Sequence, residues 1–160
     1  MKLPTDEAYN QYADRVFASA FSVCRNRADA DDVTQDTFIK YHTADLDYTD
    51  ENHLRAWLLR VAINRAKDLK GSFWQKQRVD WEDYMAELPF EEPADSRLFE
   101  AVMRLPDRYR VVIHLFYYED YSIREIAELL KSREGTVKSQ LNRGRALLKT
   151  TLMEEWNDDE

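Results

Sequence analysis

The sequence predicts an all-α protein built from two small helical domains joined by an acidic linker. Three observations carry that prediction. Gly and Pro together make only seven of 160 residues while charged residues reach 34%, a balance that favours helices with short connections over a sandwich or barrel. Apolar residues recur at helical spacing in two groups, over about 5–78 and 96–153. Between them, residues 79–95 carry acidic side chains and two prolines without a sustained helical stripe.

The first group contains three stripes. Tyr9, Tyr12, Ala13, Val16, Phe17, Ala20, Phe21 and Cys24 fit one helix face, and Ala30, Val33, Thr34, Thr37, Phe38 and Tyr41 fit a second. Leu54, Trp57, Leu58, Val61, Ala62 and Leu69 form a third. Three such faces can bury one another, which 44% hydrophobic content allows in a chain of this length. In the second group, Leu98, Val102, Met103 and Leu105 lie on a helix stopped at Pro106, and Tyr109, Val112, Ile113, Phe116 and Tyr117 lie on another. Ser122 followed by Glu125 reads as a capping box opening a helix with Ile123, Ile126, Ala127 and Leu130 inward. After a turn that lacks glycine, Ser132 is placed to cap a last helix. On it Val137 and Leu141 face inward, and Lys138, Ser139, Asn142, Arg143 and Arg145 face outward. The pair reads as a helix-turn-helix, although any αα-hairpin with a polar outer face gives a similar pattern.

Charge is segregated along the chain. The formal net charge is −8, yet residues 55–78 carry seven basic side chains against one acidic, and 131–150 carry six against one. Residues 79–100 carry eight acidic against one basic, and the last ten residues hold five acidic and no basic ones. Two anion-facing sites separated by an acidic tether fit this distribution. The single Cys24 excludes an intrachain disulfide and reads as a buried structural thiol. Neither a membrane-length apolar run nor a secretory pattern opens the chain, so no membrane insertion and a cytoplasmic location are expected. The acidic cluster Asp29, Asp31, Asp32 and Asp36 lacks an accompanying Glu-x-x-His, and His42, His53 and His114 are scattered. No metal, cofactor or catalytic constellation is expected.

Four stretches carry a family resemblance: DADDVTQDTFIKYH (29–42), LRAWLLRVAINRAKDLK (54–70), LPDRYRVVIHLFYYEDYSIREIAELL (105–130) and SREGTVKSQLNRGRALL (132–148). In this order and spacing they resemble successive regions of the bacterial sigma-70 family, and the short two-domain layout resembles its extracytoplasmic-function (ECF) subgroup. The resemblance implies a sigma domain 2-like helical bundle over 5–78, a linker over 79–95, and a sigma domain 4-like helix-turn-helix over 96–153. It implies core RNA polymerase and promoter DNA as partners, an anti-sigma factor as a further partner, and catalysis left to the polymerase.

Residue by residue, the resemblance assigns Asp32, Gln35, Asp36, Ile39 and Lys40 to docking on a helical clamp of the polymerase, where an exposed Ile amid hydrogen-bonding groups suits a partner helix. Arg60, Asn64 and Lys67 share a face by their i, i+4, i+7 spacing. With Lys70, Trp74, Lys76 and Arg78 they are assigned to the −10 element, Asn64 matching a position that helps hold a base turned out of the stack. Phe73 and Trp74 either stack on bases or complete the core, and Gly71 departs from the basic or bulky residues usual at its place. Thr136, Lys138, Ser139, Asn142, Arg143 and Arg145 are assigned to the −35 element, with the two arginines as phosphate anchors. The acidic linker is expected to avoid DNA and to thread basic passages of the polymerase. Two other classes remain: a stand-alone helix-turn-helix regulator, which leaves the Asn64 ridge unexplained, and a protein-binding helical adaptor, which leaves Lys138, Arg143 and Arg145 unexplained.

Overall fold

A computed structural model describes residues 2–73 and 96–158, with side chains over 2–69 and 97–154. The chain divides into two compact units between Leu88 and Pro89. The first holds α1 (Thr5–Cys24), α2 (Arg27–Thr43) and α3 (Glu51–Phe73). The second holds α4 (Ser96–Arg104), α5 (Asp107–Ile113), a π-helical turn (His114–Tyr118), α6 (Ile123–Leu130) and α7 (Glu134–Asp158).

In the first unit each helix packs on the other two. The α1–α2 connection is two residues long: Arg25 takes the left-handed conformation (φ 52°), and Asn26 caps α2 by accepting from the Asp29 N–H at 2.9 Å. The six residues expected on the inner face of α2 are all buried. Its two threonines are accommodated because Thr34 and Thr37 Oγ1 donate to the carbonyls of Ala30 and Val33, each at 2.7 Å. The N-terminal segment fastens the other end of the helix. Lys2 Nζ donates to the carbonyls of Tyr41 and Ala44, and the buried Tyr41 phenol donates to the Leu3 carbonyl.

Three expectations about this bundle need correction. The inner face of α3 consists of Leu54, Leu58, Leu59, Ala62, Ile63 and Ala66. It is turned away from Trp57, Val61 and Leu69, which are half-buried, because α3 packs on two helices at once. Tyr9 is 47% exposed and covers Phe38 edge-on from outside, with ring centroids 5.1 Å apart. Cys24, expected buried, is half-buried because it is the last residue of α1, where the helix gives way to the turn at Arg25.

The second unit is fastened at Pro106 by the fully buried Arg110, which donates to the Leu105 carbonyl at 2.6 Å and pairs with Asp107. Leu98, expected inward, lies in the first turn of the short α4 and is 43% exposed. After Ile113 the helix widens into a π turn, with the Glu119 N–H reaching the His114 carbonyl five residues back. The extra residue rotates the side chains beyond it, so His114 and Leu115 are buried, whereas Tyr117, expected inward, is 54% exposed. The capping box of Ser122 and Glu125 is formed in both directions, at 3.1 and 3.0 Å. The turn after α6 closes on Lys131 in the left-handed conformation (φ 53°). The Ser132 N–H meets the Ala127 carbonyl and the Lys131 N–H the Glu128 carbonyl, a Schellman arrangement without glycine. The first turn of α7 closes from the Val137 N–H to the Arg133 carbonyl. Arg133, not Ser132, therefore stands at its N-cap.

Candidate nucleic-acid interface

On α7, Val137 and Leu141 are buried, and Gly144 lies against α5. A Cβ at Gly144 would stand 3.2 Å from Ile113 Cγ1 and 3.4 Å from Tyr109 Cβ, so the two helices meet where a side chain would intrude. The opposite face presents Thr136, Lys138, Ser139, Asn142, Arg143 and Arg145, all exposed. Ser139 and Asn142 are three residues apart and share the middle of that face.

Arg145 holds defined partners on the π-helical turn. Arg145 Nε donates to Tyr117 Oη at 2.5 Å, with the guanidinium 5.2 Å from the Phe116 ring centroid and 5.4 Å from that of Tyr117. The Tyr109 phenol accepts from Arg108 Nη2 at 3.3 Å, and the Arg108 and Arg143 guanidiniums hold its pKa below the ordinary tyrosine value. Sequence reasoning missed Tyr117 and Arg108 as parts of this surface. Only the π turn puts Tyr117 outside, and only the close passage at Gly144 brings α7 against Tyr109.

In the first unit, Asn64 and Lys67 are exposed on α3, opposite its buried face. Arg60 is half-buried, and its buried Nε has no hydrogen-bond partner. Lys70 falls on the helical backbone without a described side chain, and Trp74, Lys76 and Arg78 lie outside the described residues. On α2, Asp32, Gln35, Asp36, Ile39 and Lys40 are exposed, Ile39 to 63%. Asp29 is only half-exposed, and burial followed by the Asp32 carboxylate pushes its carboxyl above the usual range. Arg65 Nε pairs with Asp36 at 3.1 Å and ties α3 to this face. That contact depends on how two helices pack, and no local spacing announces it. Among the described residues, no three His, Cys, Asp or Glu side chains gather as metal ligands. No described helix is long and apolar enough to cross a membrane.

A two-unit helical chain with a helix-turn-helix in its second unit and a polar, partly cationic ridge in its first has the architecture of a multi-site DNA-binding factor. Residues 8–78 match the model of Sigma-70 region 2, and residues 96–148 match Sigma-70, region 4. The ECF RNA polymerase sigma factor SigW of Bacillus subtilis is 28% identical over 88% of this chain and 84% of its own length. The ECF RNA polymerase sigma factor SigE of Mycolicibacterium smegmatis is 31% identical, and the match spans 92% of this chain but 61% of that relative. Among solved structures, the sigma factor RpoE in complex with the anti-sigma factor NepR from Bartonella quintana shares the fold, with a TM-score of 0.70, 19% identity and coverage of 92% of this chain and 96% of that one. CnrH in complex with the cytosolic domain of CnrY superposes with a TM-score of 0.67 at 25% identity, covering 94% of this chain and 88% of that one. The chain belongs to the sigma-70 family, in its ECF subgroup.

Proposed function

We propose that this ECF sigma factor divides its work among three faces. The outer face of α2, with Gln35 and Ile39 at its centre and Asp32, Asp36 and Lys40 around them, docks on a helix of core RNA polymerase. The α3 ridge of Arg60, Asn64 and Lys67, together with Lys70, Trp74, Lys76 and Arg78, receives the unpaired strand of the −10 element. The outer face of α7 enters the major groove at the −35 element. There Lys138, Ser139 and Asn142 read base edges, Thr136 contacts the adjacent backbone, and Arg143 and Arg145 hold phosphates.

The polymerase supplies the chemistry, and the chain supplies promoter choice. An anti-sigma factor covering these faces in the cytoplasm is the regulatory partner this reading implies. Residues 79–95 join the −10-binding and −35-binding domains as an acidic tether that avoids DNA by repulsion.

The observation that carries this reading is the exposure of the described assigned side chains on faces away from each helix's buried stripe. Arg60, half-buried with an unpartnered Nε, is the exception. The test is retention on immobilised core RNA polymerase, followed by transcription from a randomised promoter library. Retention together with an enriched pair of elements supports the reading. A chain that neither binds core nor changes which promoters fire overturns it.

A further inference from the structure

Tyr117 lies on the π-helical turn, whose extra residue turns it out of the core, and it is 54% exposed. Arg145 reaches it from the outer face of α7. The Arg145 Nε donates to Tyr117 Oη at 2.5 Å, and its Cζ stands 5.2 Å from the Phe116 ring centroid and 5.4 Å from that of Tyr117. The two rings meet edge to face, with centroids 4.9 Å apart and planes at 76°. One hydrogen bond and an aromatic floor therefore hold the guanidinium, and both partners are neutral. A carboxylate in that place would orient the arginine and cancel its charge, whereas a phenol orients it and leaves the charge whole. Among the described residues no carboxylate pairs with Arg145. Its Nε is spent on Tyr117, which leaves both Nη groups to donate elsewhere. The phenol oxygen accepts that bond, so its own hydrogen is also left to donate. One exposed pair thus offers a charged and a neutral donor side by side. A phosphodiester, with two oxygens on one phosphorus and a negative charge, takes a bond from each.

We infer that Tyr117 contacts promoter DNA: its hydroxyl donates to the same backbone phosphate that Arg145 holds, and it fixes the guanidinium for that contact. The inference rests on the reading of α7 as the duplex-entering helix. It adds to that reading a contact from the π-helical turn, outside the helix-turn-helix.

The experiment uses the full chain assembled with core RNA polymerase and a duplex promoter selected by the wild-type chain. Affinity for core, and affinity of the assembly for duplex against salt, are measured for wild type, Tyr117→Phe, Arg145→Ala and the double variant, each checked for unchanged melting. Tyr117→Phe keeps the ring and removes only the hydroxyl. It should weaken duplex binding about tenfold at every −35 sequence, the size of one hydrogen bond to a charged acceptor, and keep their order. The slope of log affinity against log salt should stay as in wild type, because no charge is lost, whereas Arg145→Ala should lower it by about one. In the double variant the two losses should fail to add. The duplexes are then scanned with single uncharged methylphosphonate linkages. At one and the same linkage, neutralisation should fail to add with Tyr117→Phe and with Arg145→Ala, since all three remove one contact. Wild-type binding by Tyr117→Phe overturns the inference, as does a loss that adds at every linkage or couples to a different linkage from that of Arg145. Reordered base preference would make Tyr117 a base reader, and a loss confined to core affinity would make it a polymerase contact; either result overturns the inference and leaves the α7 reading intact. If the wild-type assembly shows no salt-dependent duplex binding at all, the α7 reading falls and the inference falls with it.

Discussion

Asn64 stands exposed on α3 between Arg60 and Lys67, so its amide is available to a ligand and is not needed by the fold. An amide presents a donor and an acceptor together, which matches the edge of a base turned out of a stack. Replacing it by Ala removes both, and leaving the base unsatisfied costs on the order of 1 to 3 kcal/mol. Asn64→Ala should therefore weaken open-complex formation and blur preference at one −10 position, with core binding retained. A promoter library showing the wild-type preference at every −10 position would remove Asn64 from the site. A parallel argument applies to Ile39, whose 63% exposure on a helix with six well-buried inner residues leaves it no structural duty. Gln35→Ala combined with Ile39→Asp should lower affinity for core polymerase and leave the melting temperature unchanged, as measured by core titration beside thermal unfolding. Unfolding would place these side chains on the wrong face. At this scale the sequence was informative for α2 because its inner stripe is strictly periodic. It was silent on Arg65, whose partner Asp36 is 29 residues away.

The helical elements differ in how openly they announce themselves. The capping box at Ser122 is a local signal, legible because both partners are three residues apart. The π turn is not local in this sense. One inserted residue exchanges the faces of Leu115 and Tyr117, and a 3.6-residue template assigns Tyr117 to the core. The turn at Lys131 places a residue with a Cβ in the left-handed conformation. Lys131→Gly should therefore stabilise the second unit by up to about 1 kcal/mol, the relief of that strain outweighing the added freedom of the unfolded chain. Denaturant unfolding measures this, and a loss of stability would show that the lysine side chain contributes more than its strain. His114, buried in the π turn and stacked on Tyr118, has its pKa pushed down by burial to about 4. The unfolded chain binds this proton more readily between pH 6.5 and about 4. The associated stability is thus present above pH 6.5 and declines as pH falls toward 4, by about 3 kcal/mol if the whole shift is expressed. A His114→Gln variant should flatten this part of the stability curve. A wild-type curve unchanged across that window would show that the imidazole is not held neutral.

Across the whole chain, the distribution of charge matters more than its sum. Net charge is −8, and the positive potential needed for DNA is confined to 55–78 and 131–150. The acidic tail begins at 151, on the same helix whose outer face is proposed to read the −35 element. At 1.5 Å rise per residue, Glu154 lies about 18 Å along α7 from Asn142. That exceeds the Debye length of about 8 Å at physiological salt, so the tail is largely screened from a duplex at that face and does little to oppose it there. What the free chain lacks, at a net charge of −8, is an overall attraction to DNA, and a polymerase that already holds the duplex removes the need for one. At physiological salt the free chain should bind promoter duplex more weakly than about 1 μM, in the range of non-specific association. With core polymerase added, binding should become nanomolar and acquire sequence preference. Within that assembly Asn142→Ala should reorder −35 preference by roughly 1 to 3 kcal/mol at one base pair. Arg145→Ala should weaken all promoters alike and lower the salt slope by about one. Fluorescence anisotropy with and without core measures these outcomes directly. Nanomolar, sequence-selective binding by the free chain, with nothing gained from core, would make it a stand-alone helix-turn-helix regulator. The exposed faces of α2 and α3 would then need another explanation.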